Sequence, residues 1–174
     1  MVSTAGRRLI VMRHATAEPF AAQDEQRRLT QAGLDAASAA GTWLAGHSLV
    51  PDFGWVSAAT RTRQTWNSVC SAMGSQPLVR VEQALYSAGP ENVIDLLSQT
   101  PDDAETVLLV GHNPTAAYLV HLLDSGQPDA TAWRRVSEAF PPASMAVLDY
   151  EGEWAQLAIG SAHLRDFHVG GRDS

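Results

Sequence analysis

The sequence predicts an α/β fold: a three-layer α/β/α sandwich whose central sheet is mostly parallel and closes with an antiparallel hairpin at its C-terminal end. Two observations carry the parallel part. Short apolar runs alternate with stretches of helical period from residue 8 to residue 123, and such alternation places helices on both faces of a parallel sheet. The run from Thr106 to Val110 is apolar after its first residue, as expected of a central strand buried on both faces. A third observation carries the hairpin. Ser144 to Tyr150 and Trp154 to Ser161 flank Glu151-Gly152-Glu153, a turn signal between two strand-like stretches.

The elements follow in order. Residues 1–7 are expected to form a loose tail. The first strand runs from Arg8 to Met12 and breaks abruptly into Arg13-His14. Thr16 to Arg28 has no clear period and carries Pro19 early, so it reads as a loop over the strand's exit. Its cluster Asp24-Glu25-Gln26-Arg27-Arg28 reads as a solvated charged face. Thr30 suits a helix N-cap. Leu34, Ala37, Gly41 and Leu44 then share one helical face, and Gly46 fits the end. Pro51-Asp52 turns the chain into a second strand, Phe53 to Val56, and Ser57 to Thr60 leads out of it. A second helix starts near Arg61, buries Trp66, Val69, Cys70 and Met73, and stops at Gly74.

Leu78 to Val81 reads as a short edge strand and Glu82 to Gly89 as a loop containing Tyr86. Pro90 suits the first turn of a third helix, with Val93, Leu96 and Leu97 inward. After the central strand and Gly111-His112, Asn113 is a good N-cap and Pro114 a good first residue for a fourth helix to Leu123. Thr131 to Glu138 forms a short helix ended by Pro141-Pro142. The polar, Gly-rich tail over residues 164–174 is expected to be loose. No repeat, linker or low-complexity block divides the chain, so residues 1–174 are expected to form one domain.

Composition limits the function. The chain has 174 residues, 45% hydrophobic and 18% charged, which is ordinary for one globular domain with a sizeable core. A net charge of −7 argues against a general binder of nucleic acid or anionic membrane, which would carry a basic face. The single cysteine, Cys70, excludes an internal disulfide and reads as a core thiol. No apolar run approaches the ~18 residues of a membrane span, and the N-terminus has no signal-peptide pattern. A soluble cytoplasmic protein is expected.

The chemistry gathers at strand exits. In an open α/β sheet, ligands sit outside the carboxyl ends of the strands. Arg13-His14 leaves the first strand, Arg61 follows the second, and Gly111-His112 leaves the central one. Parallel strands bring these exits to one edge, although they lie about 100 residues apart in sequence. Taken alone, Arg13-His14 is equally a strand whose last residues are polar and solvated. Taken together, two guanidinium groups form a fixed double positive charge suited to a phosphoryl group. A histidine among them can serve as acid, base or nucleophile. A helix starting at Asn113-Pro114 would add a positive dipole end, and Gly111 would let the backbone come close without a Cβ.

The matching segments also carry a resemblance. They are Leu9-Ile10-Val11-Met12-Arg13-His14, Arg27-Arg28-Leu29-Thr30-Gln31-Ala32-Gly33, Ser57-Ala58-Ala59-Thr60-Arg61-Thr62-Arg63-Gln64-Thr65, Ala84-Leu85-Tyr86 and Val110-Gly111-His112-Asn113-Pro114. In this order they resemble the histidine phosphatase superfamily (the phosphoglycerate mutase-like fold), and more closely its SixA-type phosphohistidine phosphatases, which are small and lack a cap domain. The resemblance implies that His14 is a nucleophile that becomes transiently phosphorylated. It implies that Arg13 and Arg61 clamp the phosphoryl oxygens and that His112 is a second pocket histidine. It implies a metal-independent phosphatase with no cofactor, acting on phosphohistidine in a protein. The residues agree: a neutral imidazole attacks phosphorus in line, and water then attacks the phosphorylated ring, splitting one hard displacement into two.

The sequence departs from the family pattern at two points. Ala15 stands where the superfamily motif has glycine, which is tolerable unless the backbone needs positive φ. No carboxylic acid stands out as the general acid: Glu82 lies in about the right loop, with Glu18, Asp24 and Glu91 as rivals. A phosphoramidate leaves as imidazole, far less basic than an alkoxide, so it needs little acid catalysis. Arg27 is a candidate contact to substrate phosphate from the loop, or a surface residue. His47, His121, His163 and His168 lack metal-ligand spacing and read as structural or surface residues, Arg63 as solvated, and Tyr86 as core or pocket wall. Expected partners are a phosphorylated protein or a small phosphorylated substrate, with no nucleic acid and no membrane. Two other functions stay open. One is a phosphomonoesterase or mutase on a sugar phosphate or similar metabolite; the other is a non-catalytic phosphoprotein-binding module.

Overall fold

Strand β1, Arg7–Arg13, shows how the layers arise in this computed structural model, which describes residues 6–171. Side chains alternate between faces along a strand. Leu9 and Val11 therefore join one apolar cluster, and Ile10 and Met12 join another. Both faces are covered, so the run is continuously apolar rather than alternating.

The first face packs on α3 (Pro90–Leu97), α4 (Thr115–Leu123) and α5 (Ala130–Glu138) through residues such as Val93, Leu97, Leu119, Leu123 and Val136. The second packs on α1 (Gln31–Gly46) and α2 (Thr60–Met73) through Ala37, Ala40, Leu44, Trp66 and Val69. Cys70 is buried in this second cluster, and burial pushes its thiol up to about 11. It is a core thiol.

The other strands are β2 (Phe53–Ser57), β3 (Leu78–Glu82), β4 (Thr106–Gly111), β5 (Ser144–Tyr150) and β6 (Ala162–Val169). They form one sheet in the order β3-β2-β4-β1-β5-β6. The β2–β3, β2–β4 and β1–β4 pairs are parallel, and β1–β5 and β5–β6 are antiparallel. The sheet is thus mostly parallel with an antiparallel C-terminal hairpin, β4 is internal, and β3 is an edge strand, all as the sequence predicts.

The hairpin uses a different second strand from the one predicted. Trp154–Gln156 is a single 3-10 turn, and β6 begins only at Ala162. Trp154 and Leu157 are buried three residues apart, a tight-turn spacing rather than a strand's two. The Trp154 indole N–H donates to the Ala104 carbonyl at 2.7 Å, which holds this turn against the sheet's end. The strand itself contains His163, Arg165 and Asp166, because it lies at the sheet edge with one face toward solvent.

The predicted loose tails are corrected for the same reason. Arg7 belongs to β1, and residues 164–169 belong to β6. Gly170 then packs so close to α1 that a Cβ on it would stand 2.3 Å from the Ala36 carbonyl oxygen. The rest of both predicted tails, residues 1–5 and 172–174, lies outside the described residues.

Candidate active site

β1, β2 and β4 run parallel, so their carboxyl ends share one edge of the sheet. Arg13 is paired with Gly111, and the His14 N–H donates to the Gly111 carbonyl at 3.0 Å. That register sets Arg13-His14 beside Gly111-His112. Helix α2 begins three residues after β2 ends and brings Arg61 to the same edge. A cavity of about 470 Å³ opens there, walled by Arg13, His14, Thr16, Ala17, Arg27, Arg61, Tyr86, His112, Asn113 and Pro142. The four residues singled out by the sequence are therefore brought together, with Arg27 as a fifth.

The backbone around His14 is tied on three sides. The Ala15 N–H donates to Thr65 Oγ1 at 3.0 Å, and that hydroxyl donates to the Arg61 carbonyl at 2.7 Å. The Ala143 N–H donates to the His14 carbonyl at 3.2 Å. Thr30 caps α1 by accepting from the Gly33 N–H at 3.0 Å, and its own N–H reaches the Thr16 carbonyl. A Cβ on Gly33 would stand 2.1 Å from the Thr16 carbonyl oxygen. Only glycine allows the helix start to approach the His14 loop this closely.

His14 Nδ1 lies 2.7 Å from the Ala15 carbonyl oxygen. A carbonyl only accepts, so Nδ1 carries the proton and Nε2 keeps the lone pair. Burial, reinforced by Arg61, Arg13 and Arg27, holds the ring's pKa down to about 4. The ring is therefore neutral near pH 7. His112 is held down to about 3 by burial, His14 and Arg61, and its ring lies edge-on to His14 with centroids 5.4 Å apart. Its Nε2 is 2.7 Å from Ser57 Oγ. A neutral imidazole lone pair between two guanidinium groups is suited to attack a phosphorus atom and hold the negative charge that spreads over its oxygens.

The guanidinium groups are braced from behind. Arg13 Nη1 donates to the Phe140 carbonyl at 3.0 Å. Arg61, 5% exposed, donates from Nη1 to the Asp24 carbonyl and from Nη2 to the Asp24 carboxylate. The Nε groups of Arg13 and Arg61 are buried without a protein partner.

Comparison with known proteins bears on this arrangement. No family model matches the chain. An uncharacterized protein of Mycobacterium tuberculosis is 38% identical over 160 residues, spanning 91% of this chain and 99% of that protein. Phosphohistidine phosphatase SixA of Escherichia coli is 29% identical over 121 residues, 68% of this chain and 75% of that protein. A solved structure from Nakamurella multipartitia, assigned as a SixA phosphohistidine phosphatase, superposes with a TM-score of 0.85 at 35% identity, covering 96% of this chain and 98% of that one. The chain belongs to the SixA-type branch of the histidine phosphatase superfamily. Its members are hydrolases, and the α/β fold described above matches theirs.

Within this SixA-type frame the other expectations resolve differently. Ala15 has no positive φ and is fully buried, so its Cβ is accommodated where the superfamily motif has glycine. Glu82 does not line the cavity. It ends β3, which lies outside β2 in the sheet, and strands are ~4.8 Å apart, so its side chain starts ~14 Å from the end of β1. Glu18 and Glu91 do not line it either.

Asp24 is the carboxylate that reaches the site. It takes Arg27 Nε at 2.8 Å on Oδ1, and Arg61 Nη2 at 3.1 Å and the Tyr86 hydroxyl at 2.5 Å on Oδ2. The Tyr86 and Arg27 hydrogen bonds come first in holding its pKa down to about 2. The charged cluster around it is thus only partly a solvated face. Arg27 lines the cavity and is anchored by Asp24 and the Glu18 carbonyl, whereas Arg63 is exposed.

One expectation at the central strand's exit is corrected. Asn113 does not cap α4: the helix begins at Thr115, and the Asn113 side chain instead donates to the Phe140 carbonyl at 3.0 Å. A Cβ on Gly111 would meet no protein atom within 4 Å. Three of the four remaining histidines pack against aromatic rings, and His163 is exposed. His47 and His168 stack on the two faces of Trp43, and His121 lies edge-on to Trp133. Among the described residues no group of three or more His, Cys, Asp or Glu could hold a metal ion, and no helix is long and apolar enough to cross a membrane.

Sequence reasoning missed Ser57 as a neighbour of His112, and Asp24 with Tyr86 as a brace for Arg61. The only available signals were the polar residue ending an apolar strand and the Asp24–Arg27 spacing of three.

Proposed function

We propose that the protein removes a phosphoryl group from phosphohistidine in another protein, with His14 as the nucleophile. The observation that carries this is the His14 ring itself: neutral, with its proton committed to the Ala15 carbonyl and its cavity-wall position shared with Arg13, Arg61 and His112. His14 Nε2 bonds to phosphorus, and the bond to the substrate imidazole breaks. The departing ring regains a proton from solvent. Water then bonds to phosphorus, the bond to Nε2 breaks, and inorganic phosphate leaves as His14 returns to its neutral form. Arg13 and Arg61 hold the three equatorial oxygens through both displacements, supplying the charge that a metal ion supplies elsewhere.

Asp24 favours phosphohistidine over an alkyl phosphate ester. Among the described residues it is the carboxylate that ion-pairs with Arg61 and Arg27. A carboxyl with a pKa of about 2 holds no proton to give an alkoxide near neutral pH, whereas an imidazole leaving group needs little help. The cavity also opens to solvent, with no cap domain among the described residues, which suits a side chain presented by another protein.

The test is phosphate release from a phosphohistidine-bearing protein and from a panel of small phosphate esters, comparing wild type with His14→Ala. Release from the phosphoprotein that requires His14, together with an acid-labile phosphoryl group on His14 after rapid quenching, is expected. Release from one small ester alone would move the substrate to metabolism. Phosphate binding without turnover of any substrate would make this a phosphoprotein-binding module.

A further inference from the structure

Ser57 is the last residue of β2 and is 0% exposed. Its carbonyl accepts from Thr62 Oγ1 at 2.7 Å, which fixes the turn into α2. The only hydrogen-bond partner of its hydroxyl among the described residues is His112 Nε2, at 2.7 Å. The other ring nitrogen of His112, Nδ1, lies 3.4 Å from Arg61 Nη2, a hydrogen bond when Nδ1 is unprotonated and accepts.

Two proton arrangements are compatible with these distances. If Nε2 carries the proton and donates to Ser57, Nδ1 accepts from Arg61 Nη2, but the serine's own O–H is left without an acceptor in a fully buried position. A buried polar group without a partner keeps its full desolvation penalty. If the serine donates to Nε2, the proton of His112 sits on Nδ1. That N–H and the Arg61 Nη2 group then face each other donor to donor at the cavity wall, a pairing that one anionic oxygen accepting from both would satisfy. The first arrangement strands a donor inside the protein; the second places both donors where an anion binds.

We infer that Ser57 is a positioning residue that fixes the tautomer of His112, so that Nδ1–H and Arg61 Nη2 form a paired donor for one phosphoryl oxygen. The two cavity histidines are thereby set oppositely. On His14 a backbone carbonyl takes Nδ1–H and frees a lone pair for attack. On His112 a serine hydroxyl occupies Nε2 and frees an N–H for charge stabilisation. The inference rests on the phosphoryl-transfer reading above, but its test reads the proton directly and needs no substrate.

The experiment is nitrogen-15 NMR of the histidine rings in the wild-type protein, Ser57→Ala and Ser57→Thr near pH 7, with a titration of inorganic phosphate. The expected result is His112 protonated on Nδ1 in wild type and in Ser57→Thr, and shifted toward the Nε2–H form in Ser57→Ala. Phosphate affinity is expected to fall on the order of 10-fold to 100-fold in Ser57→Ala, the range lost when the partner that orients a metal-bound histidine is removed, with the His14 tautomer unchanged. His112 protonated on Nε2 in wild type would overturn the inference without any variant. So would a Ser57→Ala protein whose His112 tautomer and phosphate affinity match wild type. If phosphohistidine is not turned over but His112 carries its proton on Nδ1 in a Ser57-dependent way, the substrate reading fails and this inference stands.

Discussion

Arg61 and Asp24 are joined twice: Nη1 donates to the Asp24 backbone carbonyl at 2.9 Å and Nη2 to its carboxylate at 3.1 Å. One partner is buried and the other half exposed, with side-chain exposures of 6% and 54%. The backbone contact holds the arginine in place, while the carboxylate competes with a bound anion for its charge. Asp24→Asn separates the two effects, because the amide oxygen still accepts from Tyr86 and the backbone carbonyl is untouched. Loss of one solvent-screened counter-charge is worth little, so a competing oxyanion such as vanadate is expected to bind about 2- to 5-fold more tightly. Inhibition constants for wild type and variant check this.

Arg61→Gln removes the fork itself. The expected loss in kcat/KM is on the order of 10²- to 10³-fold, typical of removing one preorganised charge donor. Arg61 also helps hold the His14 pKa down to about 4. The acid limb of the wild-type pH profile is therefore expected near pH 4 rather than near the ordinary imidazole value of ~6.5, and Arg61→Gln is expected to move it upward. Paired pH–rate profiles on one substrate cancel the substrate's own ionisation.

The same histidines tie stability to pH. In the unfolded chain they take protons near pH 6.5; in the fold they do so only at about 4 for His14 and about 3 for His112. Between those values the unfolded state holds more protons, so folding stability rises with pH across that window and falls as pH drops below about 6.5. Urea midpoints from pH 7 to pH 5 should fall less steeply in His112→Gln than in wild type.

Gly33→Ala would place a Cβ 2.1 Å from the Thr16 carbonyl oxygen. Backbone cannot move aside as a flexible side chain can. The expected cost is about 1–3 kcal/mol, on the order of 5 °C in Tm for a chain of this size. Activity is expected to fall with it, because Thr16 lines the cavity. Thermal melts and rate measurements on Gly33→Ala and Gly46→Ala make the comparison, since a Cβ on Gly46 meets nothing within 4 Å.

The parallel core was legible because β1 and β4 carry uninterrupted apolar runs and their exits carry charged and aromatic side chains. That is enough to bring Arg13, His14, Arg61 and His112 to one edge. The antiparallel edge was harder. β6 interleaves Leu164 and Phe167 with His163, Arg165 and Asp166, and Arg165, left unpaired where the register shifts opposite Val147 and Leu148, breaks its alternation. Trp154 and Leu157 supplied a competing apolar pair. Asn113 looked like a cap because its residue type suits one, but tertiary structure offered it the Phe140 carbonyl instead. Asp24 and Tyr86 lie far apart in sequence and meet through hydrogen bonds whose geometry no residue pattern encodes.

The Phe140 carbonyl, shared by Arg13 and Asn113, has a consequence for how the protein comes into being on the ribosome. A nascent chain extended through Asn113 already contains every residue of the cavity wall except Pro142. Yet Arg13 finds its rear anchor only at Phe140, and the His14 carbonyl its partner only at Ala143. Synthesis of the first two thirds therefore yields the chemical groups without the frame that aims them. Competence arrives when β5 docks against β1, so an intermediate stalled before that point would display the cavity's side chains without being poised for phosphoryl transfer.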